Sequence, residues 1–149
     1  MAIPPLDPMG LLPPGIHACT LAEIQSVFCG SARRIMLFSQ LNRFIQNELP
    51  HIPGAAIFVD GSFVRSKPDP DDIDLVLDLS SGTQAQAESN FFKMCAEKER
   101  WKSSYHVDVY AYHPSLPKNL VSFFQYIGIK AAAELNIHSQ HLKGILRLI

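Results

Sequence analysis

Two stretches decide the fold: Ala55-Ala56-Ile57-Phe58-Val59-Asp60-Gly61-Ser62 and Asp72-Ile73-Asp74-Leu75-Val76-Leu77-Asp78-Leu79. The first is a short continuous apolar run that stops at Asp60-Gly61-Ser62, as a buried strand stops at a turn. The second alternates. Ile73, Leu75, Leu77 and Leu79 share one face of a strand, and Asp72, Asp74, Val76 and Asp78 share the other. One face is therefore core and the other collects carboxylates. Side chains two apart on a strand point the same way, so Asp72 and Asp74 stand side by side.

Downstream, His106-Val107-Asp108-Val109-Tyr110-Ala111-Tyr112 reads as another strand. Val107, Val109 and Ala111 take its apolar face; His106, Asp108, Tyr110 and Tyr112 take the other. If this strand lies beside the Asp72–Asp74 strand, Asp108 brings a third carboxylate to the same spot. Upstream, Thr20 and Glu23 form a capping box for a helix over 21–28, and Ser31 caps a longer one over 32–49. In the latter Ile35, Phe38, Leu41, Ile45 and Leu49 recur at helical steps, predicting a stripe that covers the sheet.

Thr83 to Trp101 reads as a further helix, with Ala85, Phe91 or Phe92, Cys95 and Trp101 available for its buried side. Residues 120–135 are helical in character, with an interruption near Gly128, and 143–149 form a final strand or a docked tail. Five prolines in the first 15 residues forbid a helix interior and predict an extended arm packed on the surface. With no repeat and no internal boundary, the expectation is one α+β domain over 1–149, a mixed sheet with helices packed on one face.

The composition bounds the function. A chain of 149 residues with 47% apolar content can build one core, burying roughly two-thirds of the surface its unfolded chain exposes. Cys19, Cys29 and Cys95 form no C-x-x-C pair and no zinc-finger spacing with histidine, which argues against a disulfide scaffold or structural zinc. A net charge of −1 with scattered lysines and arginines signals no extended nucleic-acid surface. Neither a signal peptide nor an apolar run of about 18 residues is present, so the reading is a soluble cytoplasmic protein without a membrane segment.

Three convergent carboxylates with no basic partner in the sequence pattern repel one another unless divalent cations neutralise them. Hard oxygen donors suit Mg²⁺ or Mn²⁺, which also bind phosphate oxygens. Gly61-Ser62 adds the complementary half: a glycine that lets backbone amides approach phosphate, and a hydroxyl beside it. Arg65 and Lys67 in the following loop are candidates to pair with further phosphate charge.

The segment Val59-Asp60-Gly61-Ser62-Phe63-Val64-Arg65-Ser66 through Asp72-Ile73-Asp74-Leu75, followed by Val107-Asp108-Val109, resembles the signature of the DNA polymerase β-like nucleotidyltransferase superfamily, in particular its small minimal-nucleotidyltransferase type. There a Gly-Ser turn leads into a helix, two acidic residues one apart lie on the next strand, and a third lies on a later strand. The resemblance implies the polymerase β-like fold, Mg²⁺ (or Mn²⁺) as cofactor and a nucleoside triphosphate, ATP in the first place, as substrate. It implies that Gly61 and Ser62 bind the triphosphate, that Asp72, Asp74 and Asp108 are catalytic metal ligands with Asp108 a candidate base, and that Arg65 matches the second arginine of the commoner Gly-Ser-x-Ala-Arg-Gly form. Ser66 stands where that form has glycine, and the C-terminal domain that grips base or acceptor in larger members has no counterpart in this sequence. The Leu-Pro-Pro-Gly opening and the Lys-Gly-Ile-Leu ending are similar to a group of short bacterial members.

Plainer readings stand beside these. Asp69, Asp71 and Asp78 read as solvated turn caps, His106 as structural, and Tyr110 and Tyr112 as packing residues. Asp69-x-Asp71-x-x-Asp74 lacks the mid-loop glycine and terminal glutamate of a calcium loop. Two functions follow as expectations. One is transfer of a nucleotide, AMP above all, to a protein, RNA or small-molecule acceptor, in a toxin–antitoxin or phage-defence setting as the resemblance implies. The other is a non-catalytic antitoxin or interaction module that binds a cognate toxin or other protein partner through its arm or the Phe123-Phe124-Tyr126 cluster.

Overall fold

The computed structural model describes residues 2–149. Its elements are β1 (Gly15–Cys19), α1 (Leu21–Phe28), α2 (Ala32–Asn47), β2 (Ala56–Asp60), β3 (Ile73–Asp78), α3 (Gln84–Tyr105), β4 (Val107–Tyr112), α4 (Leu120–Phe123), α5 (Ile129–Leu135) and β5 (Gly144–Leu148). The strands form one mixed sheet in the order β1-β5-β2-β3-β4. β5 and β3 each run antiparallel to β2, while β1 pairs parallel with β5 and β4 parallel with β3.

Alternation along the strands divides the interior. Ile57, Val59, Ile73, Leu75, Leu77, Val107, Val109 and Leu146 face α1, α2 and α3 in the main core. The capping boxes at Thr20–Glu23 and Thr83–Gln86 are both formed, which fixes where α1 and α3 begin. Within that core Phe44 meets Trp101 and Tyr105 edge-on, at ring separations of 5.1 and 5.8 Å. Glu48, just past α2, accepts hydrogen bonds from Arg100, Trp101 Nε1 and Tyr105 on α3, locking the two helices together.

The opposite sheet face is not bare. Phe58, Val76 and Ile145 pack there with Val121 of α4, and Tyr110, Tyr112 and Phe124 border the cluster. The helices thus do not all lie on one face: the three long ones do, and the short α4 covers part of the other.

Several side chains differ from expectation. On α2 the buried stripe is Leu37, Phe38, Leu41 and Phe44, joined by Arg34, while Ile35 is exposed. The predicted stripe was rotated because Arg34 takes an inward position. On α3 Ala87, Asn90, Met94, Trp101 and Tyr105 face inward, and Ala85, Phe92 and Cys95 face out. His106 is not in the strand; it caps α3 in the left-handed region (φ 55°, ψ 36°). The interruption near Gly128 is present, as the N-cap of α5, and residues 144–148 are a strand.

The N-terminal arm does more than lie on the surface. It ends in β1, and it buries Ile3 and Leu12 in the main core and Leu11 against Ile127 and Ala132. Asp7 Oδ1 accepts from the amides of Met9 and Leu11, turning the chain so that these leucines point inward. Gly10 closes this turn at φ +78°, and a Cβ there would lie 1.8 Å from Ser66 Oγ. The Gly10 carbonyl also accepts from the Ser66 amide at 2.9 Å, so the arm buttresses the loop after Gly61.

Candidate metal and phosphate site

Register builds the site. Asp60 on β2 is paired with Asp74 on β3, and Asp74 with Asp108 on β4, so three aspartates form a row across adjacent strands. All lie on the sheet face opposite the main core. Asp72, one residue before β3, sits beside this row, and ligand oxygens of Asp72, Asp74 and Asp108 lie within 4.8 Å of one another. That is close enough for one cation to touch all three.

Gly61 follows at the end of β2 with φ +84° and ψ −165°, a conformation natural to glycine. Its Cα packs directly on Asp74. The chain then makes one 3₁₀ turn, Ser62–Val64, where the resemblance implied a helix. Arg65 and Lys67 come next and point toward α5, where Glu134 binds Arg65 at 2.6 Å and Lys67 at 3.5 Å. Asp60, Gly61, Ser62, Arg65, Lys67, Asp72 and Asp74 line one cleft of about 330 Å³, whose far wall is α5 and the segment before it. Asp108 lies outside that lining.

The electrostatics differ from residue to residue. Burial, then the charges of Asp72, Asp60 and Asp108, push the Asp74 carboxyl up to about 7. Burial also raises Asp72, against the pull of Lys102. Asp108 goes the other way: burial is outweighed by hydrogen bonds from Lys98 Nζ (2.8 Å) and the Tyr110 hydroxyl (2.9 Å) and by the charges of Lys98 and Lys102. The sequence pattern had given the carboxylates no basic partner; α3 supplies two, reaching past the edge strand β4. Asp60 is fully buried, where burial pushes it up and its ion pair with Lys143 pulls against that.

Asp60, Lys98, Lys102, Lys143 and Glu134 were not singled out in the sequence. Asp60 was legible in principle, since it ends β2 at the same parity as Phe58. The lysines and Glu134 lie between 6 (Lys102 to Asp108) and 83 (Lys143 to Asp60) residues from the groups they pair with, and no local pattern marks them. Tyr110 packs on Phe124 at 5.2 Å as expected, and in addition holds Asp108. Asp78 is a turn cap that accepts from the Ser80 amide.

A family model described as a family of unknown function (DUF6932) matches residues 4–149. The chain belongs to the DUF6932 family. No curated protein and no solved structure matches it. The match takes in both the amino-terminal arm and β5 of this DUF6932 protein, so the elements that enclose the carboxylate row all lie within the family's span. Among its described residues no helix is long and apolar enough to cross a membrane, and the three cysteines are free thiols.

The donor set fits a hard divalent cation. It is all oxygen, and it contains a carboxyl, Asp74, that burial and then the neighbouring carboxylates push up to about 7, a shift that a bound cation would oppose.

Proposed function

We propose that this DUF6932 protein is a Mg²⁺- or Mn²⁺-dependent nucleotidyltransferase that takes a nucleoside triphosphate, ATP in the first place, and transfers the nucleoside monophosphate to an oxygen of a protein, RNA or small-molecule acceptor. The observation that carries the reading is the placement of Gly61-Ser62, Arg65 and Lys67 on the same cleft as Asp72 and Asp74, with Asp108 in register beside Asp74.

Asp72, Asp74 and Asp108 would hold the metal, which when bound neutralises charge on the triphosphate and on the reacting oxygens. The Gly61-Ser62 turn, Arg65 and Lys67 orient the β- and γ-phosphates. The acceptor oxygen attacks the α-phosphorus, the bond from that phosphorus to the bridging oxygen of the β-phosphate breaks, and pyrophosphate leaves. The acceptor proton passes to a carboxylate of the row or to water. Asp108, held low by Lys98 and Tyr110, is better suited to ligation than to taking that proton.

One observation favours the non-catalytic reading: Glu134 already pairs with Arg65 and Lys67, and Lys98 with Asp108. A self-satisfied site of this kind serves a module that acts through its surface on a protein partner, a toxin–antitoxin or phage-defence role included. Incubation with α-phosphate-labelled ATP, Mg²⁺ or Mn²⁺ and cell extract separates the two. Label transfer lost on Asp72→Ala plus Asp74→Ala supports the enzyme, transfer that survives the double substitution removes the mechanism, and no transfer by the wild-type protein favours the module.

A further inference from the structure

Arg33 and Arg34 stand side by side on the first turn of α2, and between them they hold the segment that runs from Gly61 to Asp72. The Arg34 side chain is buried, with 7% of the residue exposed. Its acceptors are all main-chain carbonyls: Phe63 and Arg65 at 2.5 Å, Lys67 at 2.6 Å, and Ser62 and Phe28 at 3.4 Å. The Phe63 ring lies 5.4 Å from its guanidinium carbon. Arg33 takes the other end of the segment, donating to the carbonyls of Pro70 at 2.9 Å and Asp71 at 2.8 Å.

A buried guanidinium ordinarily meets a carboxylate. Here the titratable neighbours that bear on Arg34 are the Cys29 thiol, which burial holds in its neutral form, and another cation, Arg65, and among the described residues no ion pair compensates its charge. We infer that Arg34 is the positioning residue of a preformed anion-binding loop, with Arg33 fixing the loop's exit into β3. The identity of the anion rests on the nucleotidyltransferase reading; the positioning does not.

Four loop carbonyls converge on one point, and without a cation there they would repel one another and lose their hydrogen bonds. With Arg34 in place they are satisfied and the backbone path is set. A trans peptide carries its N–H opposite its C=O, so drawing the Ser62 carbonyl toward Arg34 turns the Phe63 N–H away from it. The buried positive charge also lies beneath Arg65 and Lys67, and the loop lines one cleft together with the carboxylates of Asp72 and Asp74. The ligand class that answers both sides is a polyphosphate carrying a divalent cation, oxygens toward the loop and cation toward Asp72 and Asp74.

The test compares the wild-type protein with Arg34→Gln, Arg34→Lys and Arg33→Gln, with the remote, exposed Arg43→Gln as control. Three quantities are read: amide hydrogen exchange across 62–72, affinity for Mn²⁺ alone, and affinity for Mg²⁺–ATP. Arg34→Gln is expected to speed exchange in 62–67 and to weaken Mg²⁺–ATP by about tenfold while Mn²⁺ affinity stays within about twofold, a split that a general loss of structure would not produce. Arg34→Lys recovers part of the loss, because it restores the charge with three donors in place of five. If Arg34→Gln does not fold, Arg33→Gln carries the test, with faster exchange confined to 69–72 and weaker Mg²⁺–ATP. Unchanged exchange and nucleotide binding, or parallel loss of Mn²⁺ and Mg²⁺–ATP, overturns the inference. Loop exchange that responds to Arg34→Gln in a protein that binds Mn²⁺ but no Mg²⁺–ATP upholds the positioning and removes the nucleotide reading.

Discussion

Gly61 and Asp74 are packed so closely that a Cβ on residue 61 would lie 2.1 Å from Asp74 Oδ2. The turn and the carboxylate face are therefore one unit. Gly61→Ala adds both this clash and a left-handed backbone penalty, and it is expected to cost about 1–3 kcal/mol. Chemical denaturation measures the cost, and Mn²⁺ titration should show weakened binding because Asp74 must move. A variant with wild-type stability and Mn²⁺ affinity would refute the coupling.

Metal-free, Asp74 destabilises the fold at neutral pH. Its carboxyl lies at about 7 against 3.8 for an unperturbed aspartate. Below about pH 4 both states are protonated and the residue is neutral in effect; between about 4 and 7 the unfolded chain ionises and the native chain resists, so stability falls as pH rises. Asp74→Asn should flatten this limb and stabilise the metal-free protein at pH 7 by an amount on the order of 2 kcal/mol. Melting temperatures from pH 4 to 8, with and without Mn²⁺, read it: the wild-type protein should gain from metal and the variant should not.

Glu48 acts in the opposite sense. Hydrogen bonding to Arg100, ahead of the opposing effect of burial and the further bonds from Trp101 and Tyr105, holds it down to about 2. Its contribution is full above about pH 4.5 and disappears as pH falls toward 2. Glu48→Gln should lower stability at pH 7 by about 1–3 kcal/mol and leave stability near pH 2 little changed. An equal loss at both pH values would show that shape, not charge, matters there.

Glu134 pairs with Arg65 and Lys67, the two cations that the proposed function assigns to phosphate. Glu134→Gln is expected to tighten ATP binding severalfold at low salt, with a smaller gain as ionic strength rises. Isothermal titration at two salt concentrations measures it; weaker binding would mean that Glu134 positions the two cations for the ligand.

His106 occupies a left-handed position and leaves a buried Nδ1 with no hydrogen-bond partner among the described residues. Glycine suits that position, so His106→Gly should stabilise the protein by about 0.5–1 kcal/mol. A loss of stability in urea unfolding would assign the imidazole a packing role that outweighs backbone strain.

The carboxylate face was legible because strand parity needs only local sequence: Asp72, Asp74 and Asp108 fall where alternation puts them. Helices α1 and α2 were legible at their starts because Thr20 with Glu23, and Ser31, carry the cap signals that the structure forms. What sequence could not reveal is long-range. Arg34 looks like a surface residue in a helix pattern, and nothing nearby says that its guanidinium reaches carbonyls about thirty residues away; its inward turn is what displaced Ile35 from the expected stripe. β1 was hidden by the prolines before it and by its shortness, and it is a strand only because β5 lies alongside. His106 was misplaced because the alternating pattern runs one residue past the point where the chain must leave α3.

The position of β5 between β1 and β2 has a consequence for how the chain comes to be folded. As synthesis proceeds, β1 and β2 emerge early with no partner for the edges they share with β5, and each remains an open edge until residues 144–148 arrive. The sheet therefore closes by a late insertion that joins the two ends of the sequence, a high-contact-order step that slows folding. During that interval the nascent chain is exposed to pairing with strands of other molecules, and a chaperone that shields an unfinished edge would raise its yield.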